Sequence, residues 1–487
     1  MKQSLLRQLL LYRYRYIAGF IAFICMAVLL IVVRLDLAPT GLSEAEMSSA
    51  VASATIKLSQ PMAQSFIDAP YHILQKASLS VLHVTELSIR LPSVILGVGT
   101  AMAFIFMVRR WFRMDVALIT SFILITSSAF LTMARTGTPM IMTTFWLSII
   151  LLAVTNIVHP EGKSRVWLII LLVVAPLSLY TPLMVYPLLA IAIAGLLHPH
   201  IRYLVKRTDI WKYIATTAGV LVILTPLIMT VIQQPSRLQD LIGIPIHAPA
   251  PEQLTSSAKF VLTSFLTIGS AVVGAIPQPI FGAASLVIIG LGFLRVLADH
   301  YSARSYMLLI WSVFFIPIAL LNPDKLLICL VPAYLFAAIG IESLIREWYK
   351  LFPLNPYARL VGLIPLIILL AGIMVSNSAQ YFYGYFYGRP MVRYSQQLAS
   401  SRTILDRTVK NAPATLVVRH DEYQFYDLLR RDYPRLTIAS SLTTKSTNFT
   451  IIHDGALYDS TALGVPSRII TSYKKASDQV ILRTFTP

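Results

Sequence analysis

Apolar runs separated by short polar connections dominate the first three quarters of the chain. Most of these runs have close to the ~20 residues that an α-helix needs to cross a hydrocarbon core of ~30 Å. The pattern therefore predicts eleven membrane spans, near residues 16–33, 88–108, 115–134, 139–157, 166–180, 183–198, 213–232, 280–297, 305–321, 326–345 and 359–376. A further apolar run at residues 260–276 is interpreted as a re-entrant or interfacial segment, because a twelfth span would place the cations after residue 345 on the outer side.

A polar stretch, residues 34–90, interrupts this pattern between the first two spans. Ser43 followed by Glu46 fits a helix N-terminal capping box, which predicts a helix running to about Leu58. Asp68 stands two residues before Pro70, and this arrangement predicts the start of a second helix. The stretch is therefore expected to hold two amphipathic helices on the membrane surface.

The last hundred residues have a different pattern. Short β-prone runs alternate with turns and one helical segment, Glu422–Tyr433. Strands are predicted at Ala414–His420, Leu436–Ser440, Asn448–Asp454, Arg468–Tyr473 and Gln479–Phe485. The predicted fold is thus an all-α polytopic membrane protein of about eleven spans with a small C-terminal α/β domain. The expected division places the membrane module at residues 1–376 and the α/β domain at 377–487.

Composition and charge support a membrane protein and set its predicted orientation. Of the 487 residues, 56% are hydrophobic and 13% are charged, whereas about 25% are charged in soluble domains. The net charge of +18 comes mostly from Lys and Arg beside apolar runs, which excludes a nucleic-acid-binding stripe. With the N-terminus in the cytoplasm, short inner segments hold 18 cations and outer ones hold 8. The polar stretch and the α/β domain are then extracytoplasmic, and the membrane is the plasma membrane.

Cysteine and histidine usage gives no sign of a metal centre or a disulfide framework. Cys25 and Cys329 both fall inside predicted spans, where they resemble small apolar packing residues. His72 and His83 are eleven residues apart, which is not a metal-ligand spacing. No cofactor is expected.

Several motifs together resemble the GT-C glycosyltransferases, and in particular the family 39 relatives. This group includes the protein O-mannosyltransferases and the lipid A aminoarabinose transferase. The resemblance rests on the long outer stretch ending in Arg90-Leu91-Pro92-Ser93, on Ala134-Arg135 at the end of the third span, on the Tyr180-Thr181-Pro182 turn, and on Asn322-Pro323-Asp324-Lys325 leading to Pro332. It implies transfer of a sugar from a polyprenyl-phosphate carrier to a hydroxyl of a protein, lipid or glycan outside the cytoplasm, with inversion.

The chain departs from the family where the base is expected. The first outer loop of the family usually carries Asp-Glu, with the aspartate as base, whereas this chain has Ser43-Glu44. Because Glu46 has the capping task, Glu44 is the first candidate for the base, followed by Glu46 and then Asp68. Arg135, Lys325 and Arg90 are candidates for the donor phosphate, and Asp68, His72 and Tyr180 for substrate contacts. Arg90 is also a candidate for ordering the end of the loop, and Arg135 and Lys325 for interfacial anchors.

Sugar phosphates have a good leaving group, so one carboxylate and nearby cations suffice for transfer, without the two carboxylates that glycoside hydrolysis ordinarily uses.

Two other functions remain open. A binder of lipid-linked sugars without turnover is compatible with Ser43 in place of the usual acid. A transporter or flippase is disfavoured, because the predicted spans contain almost no charge and no internal repeat is found.

Overall fold

The computed structural model describes residues 15–35, 41–56, 66–158, 164–197, 199, 202, 210–245, 249–266, 271–273, 276–299, 301–351, 356–387, 397–408, 413–442, 448–471 and 480–486. Helices dominate as far as residue 408. They are α1 (Arg15–Val32), α2 (Glu44–Thr55), α3 (Ala69–Leu82), α4 (Glu86–Trp111), α5 (Met114–Thr126), α6 (Ser128–Arg135), α7 (Ile141–Val158), α8 (Ser164–Ser178), α9 (Val185–Leu197), α10 (Ile210–Gln233), α11 (Ser236–Ile242), α12 (Pro251–Leu266), α13 (Ala283–Ala298), α14 (Ala303–Leu321), α15 (Leu330–Leu351), α16 (Pro356–Tyr387) and α17 (Gln397–Thr408).

The chain is an integral membrane protein with multiple spans. Within the described residues, six helices are long and apolar enough to cross a membrane, and the bent pair α5 and α6 makes a seventh candidate. Four shorter apolar helices accompany them: α1, α8, α9 and α13. Each of the eleven predicted spans is therefore occupied by a helix or by the bent pair. The predicted orientation stays a prediction.

The third predicted span is not one continuous helix. α5 and α6 meet at Ser127 with a bend of 61°. Ser127 Oγ accepts the backbone N–H of Phe130 at 3.2 Å and so caps α6, because a serine at a break can satisfy the N–H groups that a new helix leaves free. The bend directs Arg135, the last residue of α6, towards the end of α1.

The apolar run at residues 260–276 divides between two elements. α12 ends at Leu266, and a short antiparallel hairpin follows, formed by β1 (Ala271–Val273) and β2 (Ile276–Gln278). This change of structure is consistent with the segment not being a regular span.

The two predicted helices of the polar stretch are present. α2 begins after Ser43, and both hydrogen bonds of the capping box are formed. α3 begins after Asp68 with Pro70 in its first turn. α2 and α3 pack against each other and against the start of α4 through a buried polar cluster, in which Gln75 Nε2 donates to the carbonyls of Ile89 at 2.8 Å and Gly137 at 3.1 Å.

The C-terminal domain contains a mixed five-stranded sheet. Its strands are β3 (Ala414–Val417), β4 (Leu436–Ala439), β6 (Phe449–His453), β8 (Arg468–Thr471) and β9 (Val480–Phe485), in the spatial order β4-β3-β6-β9-β8. β5 (Ser441–Leu442) and β7 (Leu457–Tyr458) form a separate parallel pair. The helix predicted at Glu422–Tyr433 is broken into the short helix α18 (Tyr423–Asp427) between two 3₁₀ turns, and α19 (Ser460–Leu463) is a single turn.

α15 lies at the centre of the membrane bundle. Every residue from Leu330 to Ile341 is buried. α13 crosses it closely, because a Cβ built on Gly292 would lie 1.8 Å from the carbonyl oxygen of Phe336. The 3₁₀ turn Pro323–Cys329 leads directly into this central helix, so Lys325 is held close to its start.

Candidate active site

Asp68 occupies the N-cap position of α3 but does not act as a cap. Its side chain makes no capping hydrogen bond, and its backbone is left-handed with φ of 54°. Aspartate reaches this region more easily than most residues, and such conformations often mark functional sites. Its backbone N–H donates to the carbonyl of Tyr180 at 2.9 Å. The backbone of Asp68 is therefore fixed by this hydrogen bond, and its carboxyl group is not used to cap the helix.

The Tyr180-Thr181-Pro182 turn places a hydroxyl beside this carboxyl group. Trp146 Nε1 donates to Thr181 Oγ1 at 3.1 Å, and the Thr181 side chain forms a hydrogen bond with Asp68. Because the threonine oxygen accepts from tryptophan, its own proton is available for the carboxylate. Among the described residues, no group donates a hydrogen bond to the other carboxyl oxygen, Asp68 Oδ1, although that atom is screened from water.

Asp68 and Lys325 line the same cleft. The cleft is small, with a cavity volume of about 60 Å³, and it is open to solvent. Its wall combines the two charged residues with Thr181 and a mainly apolar set, Pro139, Met140, Thr143, Pro182, Leu183, Leu327 and Ile328. The Lys325 side chain is about half exposed, 46%, and its Nζ lies 3.6 Å from an oxygen of the adjacent Asp324. A carboxylate and an ammonium group therefore line one largely apolar cleft.

The electrostatic environment of Asp68 favours a proton acceptor that works near neutral pH. Burial raises the pKa of Asp68 to about 7, against the opposing effects of Lys325 and the Thr181 hydrogen bond. A general base is most effective when its pKa lies close to the working pH. Asp68 meets this condition.

Glu46 and Arg90 form a buried pair that holds the polar stretch together. Arg90 Nε donates to Glu46 Oε1 at 2.9 Å, and both side chains are fully buried. Glu46 also accepts the backbone N–H groups of Gly137 at 2.8 Å and Ser43 at 2.9 Å. Burial opposes ionisation of Glu46, but Arg90 and these hydrogen bonds hold its pKa below the ordinary value. Arg90 also donates to the carbonyls of Leu35 and Gly41, so it orders the loop, one of its two expected roles.

Arg135 holds the end of the first span. Its guanidinium donates to the carbonyls of Leu30, Ile31, Val33 and Arg34 at 2.5 to 3.1 Å. These carbonyls belong to the C-terminal turn of α1, whose negative end attracts a cation. Arg135 is fully buried rather than placed at an exposed interface.

Glu44 lies apart from the cleft. Its side chain is exposed at the start of α2, within electrostatic reach of Arg419 in the C-terminal domain. The cleft wall includes none of Glu44, Glu46, Arg90 and Arg135 among the described residues. The structure thus brings Asp68 together with Lys325 and does not bring Glu44 together with Arg135 and Lys325.

His72 and Tyr180 have supporting positions. His72 Nδ1 lies 2.8 Å from Ser53 Oγ inside the contact between α2 and α3, and burial lowers the pKa of His72 to about 4. The Tyr180 hydroxyl donates to the carbonyl of Ile223 at 2.6 Å, so its ring joins the turn to α10. Within the described residues, no group of three histidines, cysteines or acids is arranged to hold a metal ion.

Sequence reasoning did not include Thr181 as a side-chain partner of Asp68, nor Trp146 behind it. One signal was present, because Thr181 belongs to the Tyr180-Thr181-Pro182 turn that carried part of the resemblance. Trp146 lies inside an apolar run, and nothing in the sequence distinguishes it from other packing residues.

Comparisons with known proteins agree with this architecture. Residues 70–229 match the family model of dolichyl-phosphate-mannose-protein mannosyltransferase. No curated protein sequence matches the chain. Among solved structures, ArnT from Cupriavidus metallidurans in the apo state is similar with a TM-score of 0.54 at 13% identity, over 96% of this chain and 98% of that one.

Two further solved structures share the fold. ArnT bound to undecaprenyl phosphate is similar with a TM-score of 0.55 at 13% identity, over 96% of this chain and 98% of that one. The oligosaccharyltransferase from Archaeoglobus fulgidus is similar with a TM-score of 0.52 at 12% identity, over 88% of this chain and 65% of that one. The fold is therefore the predicted one, a helical membrane bundle with a C-terminal mixed α/β domain that resembles ArnT, and residues 70–229 are similar to the dolichyl-phosphate-mannose-protein mannosyltransferases.

Proposed function

We propose that the chain transfers a sugar from a polyprenyl-phosphate carrier to a hydroxyl acceptor, with Asp68 as the base and Lys325 at the departing phosphate. The observation that carries this proposal is the cleft that both the Asp68 carboxylate and the Lys325 ammonium group line. ArnT, which has the same fold, has been solved with undecaprenyl phosphate bound, and this supports the carrier class.

The reaction needs one proton acceptor and one anion-stabilising group. The acceptor hydroxyl gives its proton to an Asp68 carboxyl oxygen while its oxygen forms a bond to the anomeric carbon of the sugar. The bond from that carbon to the phosphate oxygen breaks, and the electron pair leaves with the polyprenyl phosphate. Lys325 stabilises the charge that develops there, because a fixed cation in an apolar site acts more strongly than in water. Attack opposite the leaving group inverts the anomeric centre.

Asp68 is preferred to Glu44 and Glu46 as the base for structural reasons. Glu46 already pairs with Arg90 and accepts hydrogen bonds from two backbone N–H groups, and its lowered pKa makes it a weak proton acceptor. Glu44 is exposed on α2 and does not line the cleft. Asp68 has one carboxyl oxygen without a hydrogen-bond donor among the described residues, and a pKa of about 7. The cleft is proposed to open on the extracytoplasmic side, where the polar stretch is expected.

Donor use tests this function directly. The full chain in lipid nanodiscs is incubated with a panel of radiolabelled polyprenyl-phosphate sugars and with candidate protein, lipid and glycan acceptors, and the released polyprenyl phosphate is measured. The Lys325→Gln variant should weaken donor binding by about 10-fold or more, because a hydrogen bond to a charged group contributes roughly 1.5–3 kcal/mol.

Lys350→Gln is the matched control, since Lys350 is an exposed lysine near the other end of α15 that pairs with Glu347. Donor binding that is equal in the two variants would remove Lys325 from the site. Donor binding without release of polyprenyl phosphate, with every acceptor class present, would instead favour the binder without turnover.

A further inference from the structure

A second cleft lies in the C-terminal domain, between α17 and the sheet. Its cavity volume is about 440 Å³, within the range of ~300–1,000 Å³ typical of small-molecule sites. Its lining comes from α17 and from β6, β8 and β9 with the residue before β8: Ala399, Ser400, Thr403, Ile404, Arg407, Phe449, Ser467, Arg468, Ile470 and Thr484. None of these residues lines the Asp68 cleft. The second cleft is thus a separate feature of the molecule.

Two arginines give this cleft a positive charge that no lining acid compensates. Arg407 approaches from the helix and Arg468 from the edge strand, and both are exposed. In the described part of the chain, neither forms an ion pair, whereas Arg402, Arg419 and Arg430 of the same domain each have an acidic partner. An anionic group in the cleft would meet two guanidinium groups, which are well suited to bind a carboxylate or a phosphate.

The hydroxyls of the cleft are prepared to accept hydrogen bonds. Thr403 Oγ1 donates to the carbonyl of Ala399 at 2.8 Å, and Ser467 Oγ donates to the carbonyl of Thr484 at 2.8 Å. Because these protons are already used, the remaining lone pairs can accept from a ligand. A ligand that carries several hydroxyl donors can match them. The half-buried ring of Phe449, with Ile404 and Ile470, adds the apolar surface that the carbon face of a sugar can cover.

We propose that this cleft binds an anionic saccharide, meaning a sugar unit that carries a carboxylate or a phosphate. Arg407 and Arg468 bind the anion, and Thr403 and Ser467 accept from the sugar hydroxyls. The size of the cleft fits one or two sugar units rather than a protein surface. This binding site is independent of the role of Asp68, so either assignment can fail without the other.

Binding to the intact chain in nanodiscs is measured by calorimetry with three related probes. They are cellobiouronic acid, cellobiose 6′-phosphate and the neutral disaccharide cellobiose. At least one anionic probe should bind ten or more times tighter than cellobiose, and the stronger of the two identifies the anion. Its affinity should fall with added salt, because exposed charge contacts are screened.

Variants locate the site. Arg407→Gln and Arg468→Gln should each lower the affinity for the anionic probe by about 10-fold, because one charge-assisted contact is lost. Arg431→Gln is the matched control, an exposed arginine of the same domain outside the cleft. Asp68→Asn should leave this binding unchanged. The proposal is overturned if no probe binds, if cellobiose binds as tightly as the anionic probes, or if Arg431→Gln weakens binding as much as the cleft variants.

Discussion

At the scale of single residues, Asp68 shows a conflict between stability and function. An aspartate at a helix N-cap normally stabilises the helix by accepting a backbone N–H. Here the cap is absent, the backbone is left-handed, and one carboxyl oxygen is buried without a donor among the described residues. Each of these features is unfavourable for folding. Their concentration at one acid in a cleft is what distinguishes Asp68 from the other acids of the polar stretch.

The Asp68→Asn variant should therefore be more stable than the wild type at neutral pH. The folded-state pKa of Asp68, about 7, is above its ordinary value of 3.8. The unfolded chain thus releases this proton at lower pH, and the wild type loses stability as pH rises from about 4 to 7. Asparagine cannot ionise. The apparent melting temperature of Asp68→Asn should therefore exceed that of the wild type at pH 7.5, and the two should converge towards pH 4.

Thermal unfolding in nanodiscs at several pH values measures this difference. Asp115→Asn, at an exposed aspartate, should show no such trend and serves as the control. A melting temperature for Asp68→Asn that lies below the wild type at pH 7.5 would mean that the carboxylate is a structural partner.

Removing the charge of Glu46 is expected to lower the stability, in contrast to removing the charge of Asp68. Glu46→Gln leaves the buried Arg90 guanidinium without its counter-charge, and breaking one side of a buried pair typically costs about 3–5 kcal/mol. The apparent melting temperature should fall strongly. Asp115→Asn again provides the comparison, because it breaks the exposed Arg113–Asp115 pair, worth about 0–1 kcal/mol. Equal melting temperatures for the two variants would show that the buried pair does not order the loop.

At the scale of elements, the close crossing of α13 and α15 fixes the centre of the bundle. Gly292 has no room for a Cβ against the Phe336 carbonyl, whereas a Cβ at Gly290 meets no atom within 4 Å. The two glycines lie on the same helix, two residues apart. Small residues permit such close approach of helices in membranes.

Gly292→Ala should lower the apparent melting temperature, because the helices must separate to admit the methyl group. Gly290→Ala should leave it unchanged or raise it slightly, since alanine is favoured over glycine in a helix by roughly 0.5–1 kcal/mol. Both variants are measured in the same lipid. A similar effect of the two substitutions would indicate that this crossing is looser than the structure shows.

The elements that the sequence predicted well are those specified by local chemistry. The apolar runs correspond to helices, and the Ser43–Glu46 capping box and the start of α3 after Asp68 are present. The sequence could not show the bend between α5 and α6, since a hydrophobic run has no strong signal for a break at a serine. The helix expected at Glu422–Tyr433 divides into short turns, and its side chains Phe425, Tyr426 and Leu429 belong to the apolar core shared with the sheet.

Site residues were harder to predict because their roles depend on contacts far apart in the chain. Arg135 and Arg90 are candidate phosphate ligands in the sequence, yet Arg135 donates to backbone carbonyls at the end of α1, and Arg90 pairs with Glu46 and donates to carbonyls of the polar stretch. The sequence makes Asp68 a candidate for substrate contacts and only the third candidate for the base, after Glu44 and Glu46. Only the fold brings it to Thr181 and Lys325, 113 and 257 residues later.

At the scale of the whole molecule, the polar stretch connects the membrane bundle to the C-terminal domain. Leu42, Met47, Leu79 and Val84 share one apolar core with residues of α17 and the sheet. Asp432 joins the two parts, accepting from Arg402 Nη1 at 2.7 Å and lying 2.9 Å from His83 Nδ1. Arg402 also donates to the carbonyl of Val84 at 2.8 Å. The C-terminal domain therefore stabilises the C-terminal end of α3, whereas Asp68 lies at the N-terminal end of the same helix.

A comparison of three proteins tests whether Asp68 is the base of sugar transfer. Sugar transfer by the wild type, Asp68→Asn and Glu44→Gln is measured with one polyprenyl-phosphate sugar, together with donor binding by each protein. Asp68→Asn should bind donor but lose transfer by about 100-fold or more, the usual contribution of a general base. Glu44→Gln should transfer at close to the wild-type rate. Loss of transfer in Glu44→Gln with normal transfer in Asp68→Asn would rule out Asp68 and return the role of base to Glu44.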